Sequence, residues 1–200
     1  MFSIAIIGFM VVVSCTSTRI DSSWREPNKQ IVINKLNKVL VVALLKNEAS
    51  RRVAEDQMVA FLKGKGVVSY SYLDADFNKK NEREIREKIK EDGFDGAVTM
   101  SLVDVDKERN YTPGNISAFP EYYQTFSRYY SRNWSYYSNP GYYSTTKTYS
   151  VETNIYSIKE DKIIWFGLTK TTDPDGVDKM TKEIAKVVYK KMIKEGFINQ

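Results

Sequence analysis

The sequence KVLVVALL at residues 38–45 is a continuous aliphatic run, which is typical of a β-strand buried on both faces. Residues 49–63 follow it with apolar side chains at helical spacing, and two glycines then end the pattern. A second apolar run at residues 67–73 predicts another strand. The succession of strand, helix and strand predicts that the sheet begins with parallel strands.

The first predicted helix carries two oppositely charged pairs four residues apart. They are Arg51 with Glu55 and Arg52 with Asp56. Pairs at this spacing on a helix surface stabilise it by a few tenths of a kcal/mol each, about 0.2–0.5. We therefore predict that both pairs lie on the solvated face of this helix.

Two further helices are predicted from the residues at their ends. Asn81 and Glu84 have the spacing of a capping box and open a short helix that ends at Gly93. The last helix begins near residues 175–176 and stops at Gly196. Its apolar stripe consists of Val177, Met180, Ile184, Val188 and Met192.

Three strands are predicted in the second half of the chain. Residues 96–105 and 149–158 alternate apolar and polar side chains, and residues 159–162 predict a hairpin turn into residues 163–168. Trp165 lies in the last of these strands and is predicted to be buried. The element order is β-α-β-α-β-insert-β-β-α, so the fold class is α/β, close to α+β, with one mixed sheet of about five strands.

The insert, residues 107–147, has no apolar periodicity and is rich in tyrosine. Its candidate interaction residues are Tyr122, Tyr123, Arg128, Tyr129, Tyr130, Arg132, Trp134, Tyr136, Tyr137, Tyr142 and Tyr143. Tyrosine mixed with Ser, Asn and Arg is typical of adaptable protein-binding loops. Stacking on a glycan and a purely structural flap over the sheet are the alternatives. Basic and aromatic residues together also bind single-stranded nucleic acid. The N-terminal residues, however, predict export from the cell, which argues against that partner.

The N-terminal residues predict export and lipidation. Residues 1–14 are uncharged and nearly all apolar, as in a signal peptide. Cys15 follows Val-Val-Ser, which resembles a bacterial lipobox and predicts an acylated cysteine after cleavage. Thr16, in place of aspartate, favours the outer membrane with the domain on its periplasmic face. Residues 15–37 are a predicted tether that could add an edge strand at residues 20–24, and residues 38–200 form the single domain.

Several short stretches of the mature chain occur together in one family. They are SSWREP at 22–27, KVLVV at 38–42, Arg52 followed by Glu55-Asp56, DGFDGA at 92–97, VETNIY at 151–156 and IIW at 163–165. With these stretches the chain resembles a family of uncharacterised small bacterial lipoproteins. Its element order is distantly similar to the periplasmic domains of curli-assembly and penicillin-binding-protein-activator lipoproteins. The resemblance implies no catalytic residues.

Composition excludes several kinds of chemistry. The chain has 0 histidines and 1 cysteine, which excludes Ser-His-Asp catalysis, His-ligated zinc and an intrachain disulfide. The sequence DADFN at 74–78 begins like a calcium loop, but Lys79 stands where glycine is needed and Ile85 where glutamate is needed. We therefore predict no metal and no cofactor.

The predicted function is a non-catalytic, lipid-anchored envelope protein that contacts another protein. Glycan binding through the insert is one alternative. A carboxylate-dependent hydrolase is another, and it would need a cleft that gathers at least two of Asp104, Asp106, Asp173 and Asp175. The net charge of +5 is modest, and the oligomeric state stays open.

Overall fold

The structure is a computed structural model that describes residues 18–73, 81–112 and 141–199. Its strands are β1 (Thr18–Arg25), β2 (Ile31–Val32), β3 (Lys38–Leu44), β4 (Gly66–Val68), β5 (Phe94–Thr112), β6 (Tyr142–Ser157), β7 (Lys162–Thr172) and β8 (Ile198–Asn199). Its helices are α1 (Glu48–Val59), α2 (Ser69–Tyr72), α3 (Glu82–Glu91) and α4 (Val177–Lys194), with 3-10 turns at Ile33–Lys35 and Ala60–Leu62.

The main sheet has six strands in the order β1-β7-β6-β5-β3-β4. Strand β3 runs parallel to β4 and β5, whereas β5, β6, β7 and β1 are successively antiparallel. Strands β2 and β8 form a separate parallel pair. The predicted α/β class, the mixed sheet and the order of its elements are confirmed.

The sheet has six strands rather than about five because β1 completes the edge beside β7. The predicted tether of residues 15–37 is therefore wrong from Thr18 onward, and the suggested edge strand at residues 20–24 is confirmed. The Thr18 hydroxyl lies 2.9 Å from the Thr171 hydroxyl and donates to Glu183 Oε2 on α4 at 2.9 Å. These bonds tie the first described residue to the sheet and to the helix above it.

Two other predictions about strands need correction. The strand expected at residues 67–73 ends at Val68, and the chain turns into α2 instead. The alternation predicted over residues 96–105 places Leu102 on the same face as the buried Val98 and Met100, but Leu102 is 41% exposed. It lies beyond the end of β3, whose last paired residue is Leu44 opposite Ser101, so no strand flanks it on that side.

The main core lies between the sheet and helices α1 and α4. Its buried residues include Val39, Val41, Ala54, Met58, Val98, Met100, Trp165, Ile184, Val188 and Met192. A smaller buried cluster consists of Leu40 on β3, Phe94 on β5 and Ile89 on α3. The capping box of Asn81 and Glu84 is confirmed at the start of α3. The hairpin turn between β6 and β7 is also present as predicted.

Trp165 is the largest fully buried side chain, with 0% exposure, as predicted. Its indole Nε1 donates to Glu195 Oε2 at 2.9 Å, just past the end of α4. A Cβ atom at Gly167 would lie 2.2 Å from Trp165 Cη2, so the ring covers this backbone only because residue 167 is glycine. Burial acts to raise the pKa of Glu195, but hydrogen bonds from Ser23, Trp165 and Lys191 outweigh it and hold the pKa below its ordinary value of 4.5.

Candidate interaction ribbon

The structure describes two of the predicted interaction residues, Tyr142 and Tyr143. Cys15 lies outside the described residues, and so do Tyr122, Tyr123, Arg128, Tyr129, Tyr130, Arg132, Trp134, Tyr136 and Tyr137. The insert predicted at residues 107–147 is too wide, because β5 continues to Thr112 and β6 already begins at Tyr142. Both described tyrosines therefore belong to a strand.

Strands β5 and β6 continue together beyond the other strands of the sheet. Among the described strands, none lies beside the six residue pairs from Lys107 opposite Lys147 to Thr112 opposite Tyr142, because β7 ends opposite Thr148. We call residues 107–112 and 142–147 the ribbon. At about 3.3 Å per residue it extends about 20 Å from the sheet. We call the end of the sheet from which it projects the ribbon end.

One face of the ribbon is basic and aromatic. It carries Lys107, Arg109 and Tyr111 on β5, opposite Lys147, Thr145 and Tyr143 on β6. The rings of Tyr111 and Tyr143 have centroids 4.9 Å apart, and the Arg109 guanidinium lies 5.9 Å from the centre of the Tyr143 ring. We call these six residues the basic face.

The opposite face of the same strands is acidic. Because side chains alternate along a strand, Asp104, Asp106 and Glu108 all lie on the face away from Lys107 and Arg109. Their partners across the strands are Ser150, Thr148 and Thr146, which are uncharged. We call Asp104, Asp106 and Glu108 the acidic face, and the ribbon thus separates opposite charges onto its two sides.

Exposed large hydrophobic side chains occur on the ribbon and on the strands that lead to it. Among the described residues there are seven. Tyr111, Tyr142 and Tyr143 lie on the ribbon and are 54%, 64% and 70% exposed. Leu102 and Val103 lie on β5 before the ribbon begins, whereas Leu44, at the end of β3 opposite Ser101, and Trp24, on β1 opposite Phe166, lie farther back on the sheet. Exposed tyrosine rings grouped in this way are typical of a contact surface.

The four carboxylates considered for hydrolysis occupy different surroundings. Asp104 and Asp106 are exposed on the acidic face, while Asp173 Oδ1 accepts a hydrogen bond from the Lys147 backbone N–H at 2.7 Å. Asp175 lies 2.6 Å from Lys179 Nζ, and this hydrogen bond holds the pKa of Asp175 below its ordinary value. The described residues contain no group of three or more His, Cys, Asp or Glu side chains that could hold a metal ion.

Glu55 is a buried carboxylate that sequence reasoning placed wrongly on the surface. It is 0% exposed and accepts hydrogen bonds from Ala43 N at 3.0 Å, Ser69 Oγ at 2.5 Å and Tyr70 N at 3.2 Å. Arg51 Nε lies 3.4 Å away as an ion pair without hydrogen-bond geometry. The carboxylate joins α1 to β3 and α2, which explains why the chain turns after Val68.

The second predicted ion pair of α1 does not form. Arg52 Nε donates to Glu48 at 2.9 Å instead, and its guanidinium lies 4.7 Å from the centre of the Tyr70 ring. Asp56 accepts a hydrogen bond from the Tyr70 hydroxyl at 2.7 Å. Glu48 has the same four-residue spacing from Arg52 but precedes the helix predicted at residues 49–63, and only the fold brings Tyr70 to Asp56.

An apolar cavity of about 260 Å³ lies between the sheet and helices α1 and α4 and reaches the surface beside Lys29 and Glu160. Val41, Met58 and Val188 line it, together with the hydroxyl of Thr153, which has no hydrogen-bond partner among the described residues. Such a cavity fits an apolar group with one acceptor for that hydroxyl. It is separate from the ribbon.

Comparison with known proteins gives a distant likeness in fold. No protein-family model matches the chain, and no curated protein matches it. Among solved structures, the PelC dodecamer from Paraburkholderia phytofirmans has a TM-score of 0.43 and 9% identity, covering 84% of this chain and 94% of that one. Lipoprotein GNA1162 from Neisseria meningitidis has a TM-score of 0.40 and 10% identity, covering 78% and 98%.

A third similar structure is a PDZ domain protein from Parabacteroides distasonis, with a TM-score of 0.32 and 10% identity over 89% of this chain and 35% of that one. Likenesses of this size assign no function. Within the described residues, no helix is both long and apolar enough to cross a membrane.

Proposed function

We propose that this chain is a lipid-anchored protein of the bacterial cell envelope that binds another envelope protein through its ribbon. The observation that carries the proposal is the ribbon itself, which extends two strands away from the sheet and exposes Tyr111, Tyr142 and Tyr143. Tyrosine offers a large contact area at a small cost in conformational entropy, as binding loops use it.

The lipobox-like residues before Cys15 support the anchor. Acyl chains on that cysteine contribute about 0.8 kcal/mol per buried CH₂, so two or three of them make the attachment effectively permanent. Thr16 supports placement at the outer membrane with the domain facing the periplasm.

We assign no catalytic residue, metal or cofactor to this function. Asp173 and Asp175 have hydrogen-bonding partners of their own, which fits structural roles at the turn before α4. Asp104 and Asp106 lie on an open strand surface rather than in a cleft, which favours contact over catalysis.

The anchor is tested by replacing the cysteine. The wild-type protein is expected to begin at Cys15 and to carry acyl chains, whereas Cys15→Ser is expected to lack them. Intact-mass measurement of both proteins decides. A wild-type chain that is unmodified and still begins at Met1 contradicts the proposal.

The contact surface is tested by placing a photo-reactive amino acid at Tyr142 or, as a matched control, at Trp24. Both are exposed aromatic residues on strands, but they lie at opposite ends of the sheet. Irradiation of intact cells is expected to yield a protein adduct from position 142 and none from position 24. Equal adducts at both positions, or none at 142, would remove the ribbon as the contact surface.

A further inference from the structure

We infer that the basic face of the ribbon lies on the anionic phospholipid headgroups of the membrane that holds the Cys15 anchor. The inference rests on the anchoring in the proposed function and adds a second contact with the bilayer. It is carried by three observations: where the chain enters the sheet, how charge is divided on the ribbon, and where exposed apolar side chains lie.

The chain enters the sheet at the ribbon end. Thr18 lies opposite Thr171, which lies opposite Tyr149, which lies opposite Val105. The ribbon begins two residue positions beyond this row, at Lys107. Because β1 is antiparallel to β7, a chain that continues β1 backward from Thr18 leaves the sheet in the direction of the ribbon.

The length of the preceding chain keeps the anchor close to the ribbon. Cys15 is three residues before Thr18, and three residues reach at most about 10 Å. The ribbon itself reaches about 20 Å in that direction. A membrane that holds acyl chains on Cys15 is therefore within reach of the ribbon, whereas Trp24 lies farther along β1, away from it.

The basic face brings like charges close together. Lys107 and Lys147 stand directly opposite each other, which destabilises a strand pair. Within the part of the chain that the structure describes, neither lysine nor Arg109 forms an ion pair, although Arg109 lies over Tyr143. An anionic surface would relieve the repulsion between the lysines, because it supplies the missing counter-charge to the whole face.

The side chains between these charges suit a membrane interface. Tyr111 and Tyr143 are half to two-thirds exposed and combine an apolar ring with a polar hydroxyl, as aromatic residues at bilayer surfaces do. Leu102 adds exposed apolar surface on the same side of the sheet, because its partner Val151 shares the face of Lys147. When the basic face meets the headgroups, the acidic face is directed away from them and toward the aqueous compartment.

The anchor holds the protein at the membrane, and the ribbon would orient it. A single flexible tether leaves a domain free to rotate, whereas a lipid chain combined with a basic patch contacts the bilayer at two points. The two contacts together would direct the opposite side of the ribbon, which carries the acidic face and Tyr142, toward a protein partner. This is the role that the geometry assigns to the basic face.

The test uses the mature chain from residue 15 with Cys15→Ser, so that binding does not depend on acyl chains. The described sheet and its helices begin at or after Thr18, and this chain keeps all of them. Its sedimentation with vesicles of phosphatidylethanolamine and phosphatidylglycerol is compared with vesicles of phosphatidylcholine alone. Binding is expected only to the anionic vesicles and is expected to be lost at high salt.

Charge-neutral variants locate the contact. Basic residues near an anionic surface contribute about fivefold each to binding, so Lys107→Gln, Arg109→Gln and Lys147→Gln combined are expected to weaken it on the order of a hundredfold. The matched control neutralises the acidic face with Asp104→Asn, Asp106→Asn and Glu108→Gln, and is expected to bind at least as tightly as the parent. Arg109→Gln alone, with an unchanged melting temperature, is expected to show the fivefold step.

Three outcomes would overturn the inference. The first is equal binding to both kinds of vesicle, and the second is a basic-face variant that binds as tightly as the parent. The third is that sedimentation velocity shows the basic-face variant breaking a dimer, because the face would then meet a second copy of the chain. An unacylated Cys15 in the wild-type protein would contradict the lipid anchor but not the vesicle binding of the basic face, because the vesicle measurement uses a chain without acyl groups.

Discussion

Trp165→Ala is expected to lower the free energy of unfolding by about 3–5 kcal/mol, the usual cost of removing a fully buried tryptophan. The ring is 0% exposed and lies in the main core, so its loss leaves a cavity that the surrounding strands cannot close. The substitution also removes the donor that reaches Glu195 Oε2, while Ser23 and Lys191 still contact the other carboxylate oxygen, Oε1. Denaturant unfolding followed by circular dichroism measures the change.

A matched variant separates packing from the hydrogen bond. Trp165→Phe keeps an aromatic ring in the core and removes the indole N–H, so its expected cost is smaller, about 1–3 kcal/mol. Its unfolding midpoint is therefore expected between those of the wild type and Trp165→Ala. If Trp165→Ala unfolds at the same denaturant concentration as the wild type, the indole ring does not stabilise the core in the way that its burial implies.

Removal of residues 108–146, which are the ribbon beyond its first residue pair together with the segment that joins its strands, is expected to leave the domain folded while it abolishes partner binding. Lys107 and Lys147 are directly paired, so residues 108–146 can be replaced by Asn-Gly, the preferred turn of a two-residue hairpin. The removed strand pairs have no third strand beside them, and an isolated two-stranded ribbon is marginally stable by itself. A much shorter loop also costs less entropy to close.

The free energy of unfolding of this shortened chain is therefore expected to stay within about 1 kcal/mol of the wild-type value. Thermal melting with far-ultraviolet circular dichroism measures it. A loss of the cooperative transition would show that residues 108–146 are needed for folding. The ribbon would then not be a contact surface separate from the folded core.

The elements that the sequence predicts correctly are those specified by neighbouring residues. The aliphatic run of β3 and the capping box of Asn81 and Glu84 each act within one element, and the structure contains both. Burial of Glu55 could not be predicted in this way, because its partners are Ala43, Ser69 and Tyr70, which only the fold brings to it. Helical spacing predicted that Arg51 and Glu55 form a pair on the surface, but the long-range contacts of Glu55 bury its carboxylate.

The charge pattern of the ribbon was only partly visible in the sequence. Acidic residues at 104, 106 and 108 alternate with basic residues at 107 and 109, which is the signature of a strand with two differently charged faces. That signal was missed because residues from 107 onward were assigned to an aperiodic insert. Lys107 pairs with Lys147 because of the register between β5 and β6, which includes the irregularity between Leu102 and Asp104. No local sequence pattern specifies that register.

The central claim is that the ribbon carries partner binding on a domain that does not need it to fold. It is tested most directly by quantitative affinity isolation of the wild-type and shortened chains from solubilised envelopes, with both proteins shown to be folded and membrane-bound. The wild type is expected to bring down a specific partner protein, and the chain without residues 108–146 is expected to lose it. Recovery of the same partner in equal amount with the shortened chain would contradict the claim.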